Sequence, residues 1–260
     1  MRDDYKDICL KVCDVARKAG EYIAAERKNF SPEAIEQKGR HNLVSYIDKG
    51  AEEQIVAALR KIVPEAGFIT EEGSATCGDE ALRWVIDPLD GTTNFVHGLP
   101  PYCVSIALMD CREVVVGVVY EVTHNELFYA WEGSDAFLDG EKISVSQVRK
   151  LDNALVAIGF SYAASQSSAS HLERVAYYQT NSDGIRRIGS STADAVYVAC
   201  GRVDAFIQGG LAPWDIAAGA LIAQRAGARV SDFKGGTDYI FGGEFIATNG
   251  YIYDEFMKTV

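Results

Sequence analysis

Apolar positions along the chain change period several times, and each change marks an element. Between Ile8 and Ile23 they recur at Ile8, Val12, Val15, Ala16, Ala19, Tyr22 and Ile23, which is a helical stripe. Residues 29–46 are mixed and broken at Pro32 and Gly39. Asp48 then reads as the cap of a second helix carrying Ala51, Ile55, Ala58, Leu59 and Ile62, closed by Pro64. F-I-T followed by Glu71-Glu72 reads as a strand that ends in acid, and R-W-V-I as a short strand ending at Asp87. Strand-like runs follow at 103–109, 113–122 and 126–131, with tight turns at Asn125 and Asp139-Gly140, so this block predicts an antiparallel meander. Further on, the pattern predicts a strand at 155–160, a helix at 168–180, and a short strand at I-R-R-I. A helix from Ser190 or Ser191 to about Ala199 comes next, then a strand at 204–208. A helix after Trp214-Asp215 carries Ile216, Ala220, Ala223 and Ala226; short strands at 228–231, 239–241 and 244–248 and a last helix finish the chain.

Helices and strands alternate in blocks without an internal repeat, which predicts a layered α/β or α+β architecture. At 260 residues the chain suits one domain, 1–260, with possible halves 1–148 and 149–260 where a sheet-rich stretch gives way near 140–152 to a mixed one. Composition is ordinary for a globular protein, but the formal net charge of -12 has consequences: it repels phosphate backbones and anionic membrane surfaces. Nucleic acid and membrane are therefore excluded as default partners, and no apolar run approaches the ~18 residues of a span. The six cysteines include no C-x-x-C pair, and the sequence shows no secretory signal, so they read as reduced, partly buried hydrophobes of a cytoplasmic protein. Cys9 and Cys13 share a helix face, a spacing open to a metal but explained by core packing.

The chemistry lies in the acids. Glu71, Asp87 and Asp90 each follow a short apolar run, and Asp215 follows Pro213-Trp214 at a helix start. Carboxylates gathered away from water repel one another and tend to protonate unless a cation lies between them. All-oxygen donors suit Mg²⁺ or another hard cation, whereas the histidines at 41, 97, 124 and 171 form no zinc pattern. In D-P-L-D-G-T-T-N-F, residues 87–95, Pro88 fixes the backbone after Asp87 and a turn swings Asp90 back. One such loop could serve two metals about 3.5–4 Å apart, the separation used in phosphoryl chemistry. Gly91 allows close approach, and a helix opening at Thr92 and Thr93 would aim amides at an anion. Asp-Pro and Asp-Gly are also ordinary turn pairs, so the whole string counts for more than any pair within it.

The sequence resembles the inositol monophosphatase family, within the Mg²⁺-dependent, lithium-sensitive phosphatases that include fructose-1,6-bisphosphatase. The resemblance rests on I-T-E-E (69–72), W-V-I-D-P-L-D-G-T-T-N-F (84–95) and P-W-D-I-A-A-G (213–219), with N-L-V-S-Y-I-D (42–48) and G-R-V-D-A-F (201–206). It implies an α-β-α-β-α sandwich, a homodimer, and two or three Mg²⁺ per site. Glu71, Asp87 and the Leu89 carbonyl would hold the first metal, and Asp87, Asp90 and Asp215 the second, with a third weak site near Glu71. Thr92, paired with Asp48, would orient and help deprotonate the attacking water. The Gly91 and Thr92 amides would cradle the phosphate, and Gly189, Ser190 and Ser191 would lie along the substrate. Attack would be direct and in line, without a covalent intermediate.

One position departs from the family pattern. Seven residues before the W-D aspartate, a glutamate that contacts inositol hydroxyls is replaced by Gln208, which loses the charge and gains a donor. Inositol 1-phosphate is the expected substrate; fructose-1,6-bisphosphate, histidinol phosphate and 3'-phosphoadenosine 5'-phosphate are alternatives that Gln208 and the 161–170 loop would decide. Arg186 and Arg187 are open to a second phosphate or carboxylate, or to a surface role. Lys38 is open to a contact at the site or to solvation. Trp84 and Trp131 read as core or interface, and His97 has no assigned role. A reading of another class is also open: some bacterial members bind transcription-complex proteins, with catalysis dispensable.

Overall fold

The computed structural model describes residues 2–30, 35–39, 42–75, 78–160 and 168–260. His41, Cys77 and the 161–167 loop lie outside them, as do the side chains of residues 2–3, 35–39, 42–45 and 168–170, Lys38 among them. The first stripe forms α1, Arg2–Arg27. The mixed stretch that follows holds a small hairpin that the apolar pattern does not predict, β1 (Ile35–Gly39) against β2 (Asn42–Ser45). Its strands are too polar to announce themselves. Next, α2 spans Tyr46–Leu59, so Asp48 does not cap it: Asp48 lies within the first turn and is buried there.

A seven-stranded sheet comes next, β3 (Gly67–Thr70), β4 (Leu82–Asp90), β5 (Cys103–Asp110), β6 (Glu113–Glu121), β7 (Glu126–Trp131), β8 (Ala136–Leu138) and β9 (Glu141–Ile143), in that spatial order. Only β3 and β4 run parallel; the rest is the expected meander. Asn125 and Asp139 take positive φ of 57° and 49° at its turns. Between β4 and β5 lies the short α3, Thr92–His97.

The second half contributes β10 (Leu155–Ile158), α4 (Ser168–Asn181), β11 (Gly184–Arg186), α5 (Ser191–Ala199), β12 (Ala205–Gly209), α6 (Pro213–Arg225), β13 (Arg229–Ser231), α7 (Tyr239–Gly242), β14 (Glu244–Thr248) and α8 (Tyr253–Phe256). Five of these strands form one mixed sheet, β11-β10-β12-β14-β13. Residues 239–241, expected as a strand, form the helical turn α7: Tyr239 and Ile240 pack on the core by one face only, and Gly243 ends the turn with a φ of 73°.

Layering follows from which faces are apolar. One core joins α1 and α2 to the outer face of the seven-stranded sheet, with Trp84, Ile86 and Ile106 fully buried. A second core fills the space between the sheets with the small residues of α5 and α6. A third sets Tyr178 of α4 and Phe256 of α8 against the outer face of the five-stranded sheet. The result is an α-β-α-β-α sandwich. Its middle layer is thin because the side chains are small; a Cβ on Gly117 of β6 would come within 2.8 Å of the Ala218 carbonyl of α6. Trp84 is a core residue, and Trp131 stacks on Phe137 at 5.7 Å. Among the described residues no helix is long and apolar enough to cross a membrane, and the cysteines are free.

Candidate active site

The D-P-L-D stretch is not a turn after a strand but a bulge within one. β4 continues to Asp90, and Asp87 faces Ser105 while Asp90 faces Cys103. Pro88 and Leu89 thus share the place opposite the single Val104. In a regular strand, residues three apart point to opposite faces. The extra residue reverses that alternation and brings both carboxylates to one side. Ordinary carboxylate repulsion is partly met locally: the Leu89 amide donates to Asp87 Oδ1 at 2.9 Å.

Asp215 arrives from the other half of the chain. It lies in the first turn of α6, where its Oδ2 accepts the Ala212 amide at 2.7 Å. Ser105, opposite Asp87, donates to the Trp214 carbonyl at 3.3 Å and ties this helix start to the sheet. Ligand-type oxygens of Asp87, Asp90 and Asp215 lie within 4.8 Å of one another, Asp87 buried and the others partly so. Their acidities register the crowding. Burial, then the charges of Glu71, Asp90 and Asp215, hold Asp87 well above the usual carboxylate range, and Glu71 shares a hydrogen bond with it. Burial and Asp90 push Asp215 up to about 7. Burial also raises Asp90, but Ser190 and Thr192 oppose the shift.

Glu71, Asp87, Asp90 and Asp215 therefore converge as expected from sequence, although Glu71 adjoins Asp87 and not the tight group of three. Thr92 donates to the Leu89 carbonyl at 3.0 Å and reaches Asp48 at 3.5 Å, the outer limit of a hydrogen bond. Gly91 precedes α3 with a φ of 92°, and a Cβ there would meet the Pro101 carbonyl at 3.0 Å. Asn94 bridges α3 to the 188–189 loop, donating to the Pro101 and Ile188 carbonyls at 2.9 Å. This brings Gly189 beside the motif: a Cβ on Gly189 would meet Asn94 Oδ1 at 2.7 Å.

Two serines behave differently from each other. Ser190 is buried and its hydroxyl is engaged: it donates to Asp90 at 2.5 Å and accepts the Ala193 amide at 3.1 Å as the cap of α5. Ser191 begins that helix and is also buried. Thr192 is a site residue that the sequence does not point to; its amide donates to Asp90 at 2.7 Å and its hydroxyl to the Asp215 carbonyl at 3.0 Å. Nothing in its neighbours signals this, because both partners are far along the chain. Gln208 lies near the C-terminal end of β12, paired with Phe245 of β14, its side chain folded over Gly159 so closely that a Cβ on that glycine would overlap it. Beyond the end of β10, Arg187 lies over the Phe160 ring at 5.8 Å and Phe160 packs edge-on against His171 at 4.5 Å. Arg187 is exposed and makes no ion pair among the described residues, and its charge reaches Asp90.

A five-layer sandwich that gathers acids at the meeting of its two halves defines a class, the metal-dependent phosphatases. The chain belongs to the inositol monophosphatase family, whose model matches residues 6–260. It is 44% identical over 238 residues to the Nus factor SuhB of Escherichia coli K12, covering 90% of this chain and 88% of that one. It is 41% identical over 227 residues to the fructose-1,6-bisphosphatase/inositol-1-monophosphatase of Thermotoga maritima, covering 87% and 86%. Among solved structures, the extragenic suppressor protein suhB of Bartonella henselae superposes with a TM-score of 0.88 at 36% identity, covering 95% of each chain.

Proposed function

We propose that the protein is a Mg²⁺-dependent phosphomonoesterase acting on a small polyol phosphate, with inositol 1-phosphate the expected substrate. The observation that carries this reading is the packing of three aspartates within 4.8 Å. Such a group is unfavourable at neutral pH unless a cation neutralises it, and three carboxylates without nitrogen or sulfur donors fit a hard divalent ion. Asp87, Asp90 and Asp215 would hold it, with Glu71 and the Leu89 carbonyl on the Asp87 side for a second. Bound cations supply neutralisation of the phosphoryl oxygens and acidification of water. The chain's own groups do the remainder. Thr92 orients the attacking water, and Asp48 behind it takes up the proton. Amides of Gly91 and Thr92 hold the phosphoryl group, while Gly189 and Ser191 flank the alcohol. Water oxygen bonds to phosphorus as the ester bond breaks, the attacking water's proton passes to Asp48, and the leaving alkoxide takes a proton from solvent water.

The direct test is phosphate release, with and without Mg²⁺, from inositol 1-phosphate, fructose-1,6-bisphosphate, histidinol phosphate and 3'-phosphoadenosine 5'-phosphate. Asp87→Asn should reduce the preferred activity by about 10³-fold or more. No Mg²⁺-dependent release from any of the four would sink the reading. Two observations favour particular outcomes. Arg187 over Phe160, a cation beside the site without an ion pair among the described residues, favours a leaving group with a second anion, in line with the bifunctional name of the Thermotoga maritima relative. The name Nus factor on relatives at 44% identity favours a transcription-complex role beside catalysis. Asp87→Asn separates these roles, since binding to such a partner would survive the loss of catalysis. As in its family, a homodimer is the expected assembly, and the cytoplasm the expected compartment.

A further inference from the structure

Glu52 is a fully buried carboxylate one helical turn after Asp48 on α2. Its Oε2 accepts the Glu72 amide at 2.8 Å and its Oε1 accepts the Ser74 amide at 2.8 Å. Between those amides stands Gly73 with a φ of 75°. The left-handed glycine turns both N–H groups inward, so the backbone forms a small concavity that closes on an anion. Here the anion is a side chain of the protein itself. The loop so held is the one that leaves β3 through Glu71, whose own amide is fixed to the Ile86 carbonyl at 3.2 Å.

A polar surface loop could satisfy these two amides with water. Burying a carboxylate to do it costs free energy that its two amide hydrogen bonds offset, and those bonds hold the loop in one geometry. We infer that Glu52 is a positioning residue for Glu71, holding the Glu71–Ser74 turn so that the Glu71 carboxylate stays against Asp87. This inference rests on the reading of Glu71 as a metal ligand. It also gives α2 two roles at the site. Residues four apart lie on one helix face, so Asp48 addresses Thr92 while Glu52 addresses the ligand loop.

The test compares wild type with Glu52→Gln, which keeps the volume but turns an NH₂ toward one amide, and Gly73→Ala, which leaves Glu52 intact but strains the turn. Circular dichroism and thermal melting establish that each variant is folded. Amide hydrogen exchange at Glu72 and Ser74 should rise by about tenfold or more, while Val85 in the neighbouring strand is unchanged. Calorimetric Mg²⁺ affinity should weaken by roughly 10–100-fold, the usual effect of losing a group that supports a ligand. At saturating Mg²⁺, kcat should return to within about twofold of wild type. Unchanged exchange and unchanged affinity in both variants would overturn the inference. So would a loss of kcat with affinity intact, since Glu52 would then act on the chemistry. A wild type that binds Mg²⁺ but releases no phosphate would refute the functional reading alone, and exchange and calorimetry would still decide the role of Glu52.

Discussion

Asp194 shows what the site demands of single residues around it. It is fully buried in α5, and neither carboxylate oxygen has a hydrogen-bond partner among the described residues. Burial holds its pKa well above the usual carboxylate range; Arg187 tempers the shift and Asp90 adds to it. An acid whose folded pKa is raised stabilises the fold only while protonated, so its contribution is lost as pH rises. Asp194→Asn should therefore raise the melting temperature at pH 8, by an amount equivalent to about 1–3 kcal/mol, and raise it by less at pH 5. Equal melting shifts at the two pH values would count against a protonated Asp194. The acids that converge in the cluster are legible in the sequence because each follows an apolar run or a helix-start signal, an arrangement with a visible cost. Thr192 and Glu52 are not, because their importance lies in groups 20 or more positions away.

At the scale of elements, the bulge in β4 and the thin middle layer do the positioning. D-x-x-D reads as two acids meeting at a point, and they do meet, but not through a turn: pairing with β5 continues through the motif, and an extra residue within the strand aligns the acids. Asp48 likewise reads as a cap and is not one, since helix ends depend on which backbone groups find partners and not on the first acidic residue. The close approach of α6 to β6 gives a clear expectation. Gly117→Ala would force a Cβ against the Ala218 carbonyl, for which the backbone must move. The variant should lose about 1–3 kcal/mol in thermal or urea unfolding. Because α6 also carries Asp215, its Mg²⁺ requirement should rise with the loss of stability. A destabilised variant with an unchanged Mg²⁺ titration would show that the start of α6 is held independently, through Ser105 and Thr192.

For the molecule as a whole, the raised acids predict how stability follows pH and metal. In the metal-free protein Asp87, Asp194 and Asp215 have folded pKa values above their unfolded ones, the last at about 7. Their stabilising contribution is complete below the unfolded carboxylate value of about 4 and is lost as pH rises through the folded values. Melting with a chelator should thus occur at lower temperature at pH 8 than at pH 5, and Mg²⁺ should restore more stability at pH 8, where it does not compete with protons. Equal Mg²⁺ stabilisation at both values would mean that the aspartates are already ionised when free of metal. The sequence alone determined the helices and strands with strong apolar periods, the meander, the acidic residues and the family resemblance, because these are written in local spacing and residue type. Only tertiary structure decided that a bulge within β4 turns Asp87 and Asp90 to one side, that Ser190 and Thr192 hold Asp90, and that Glu52 grips the Glu71 loop. Those facts depend on register across strands and on backbone amides, which carry no mark in the identity of the residues that present them.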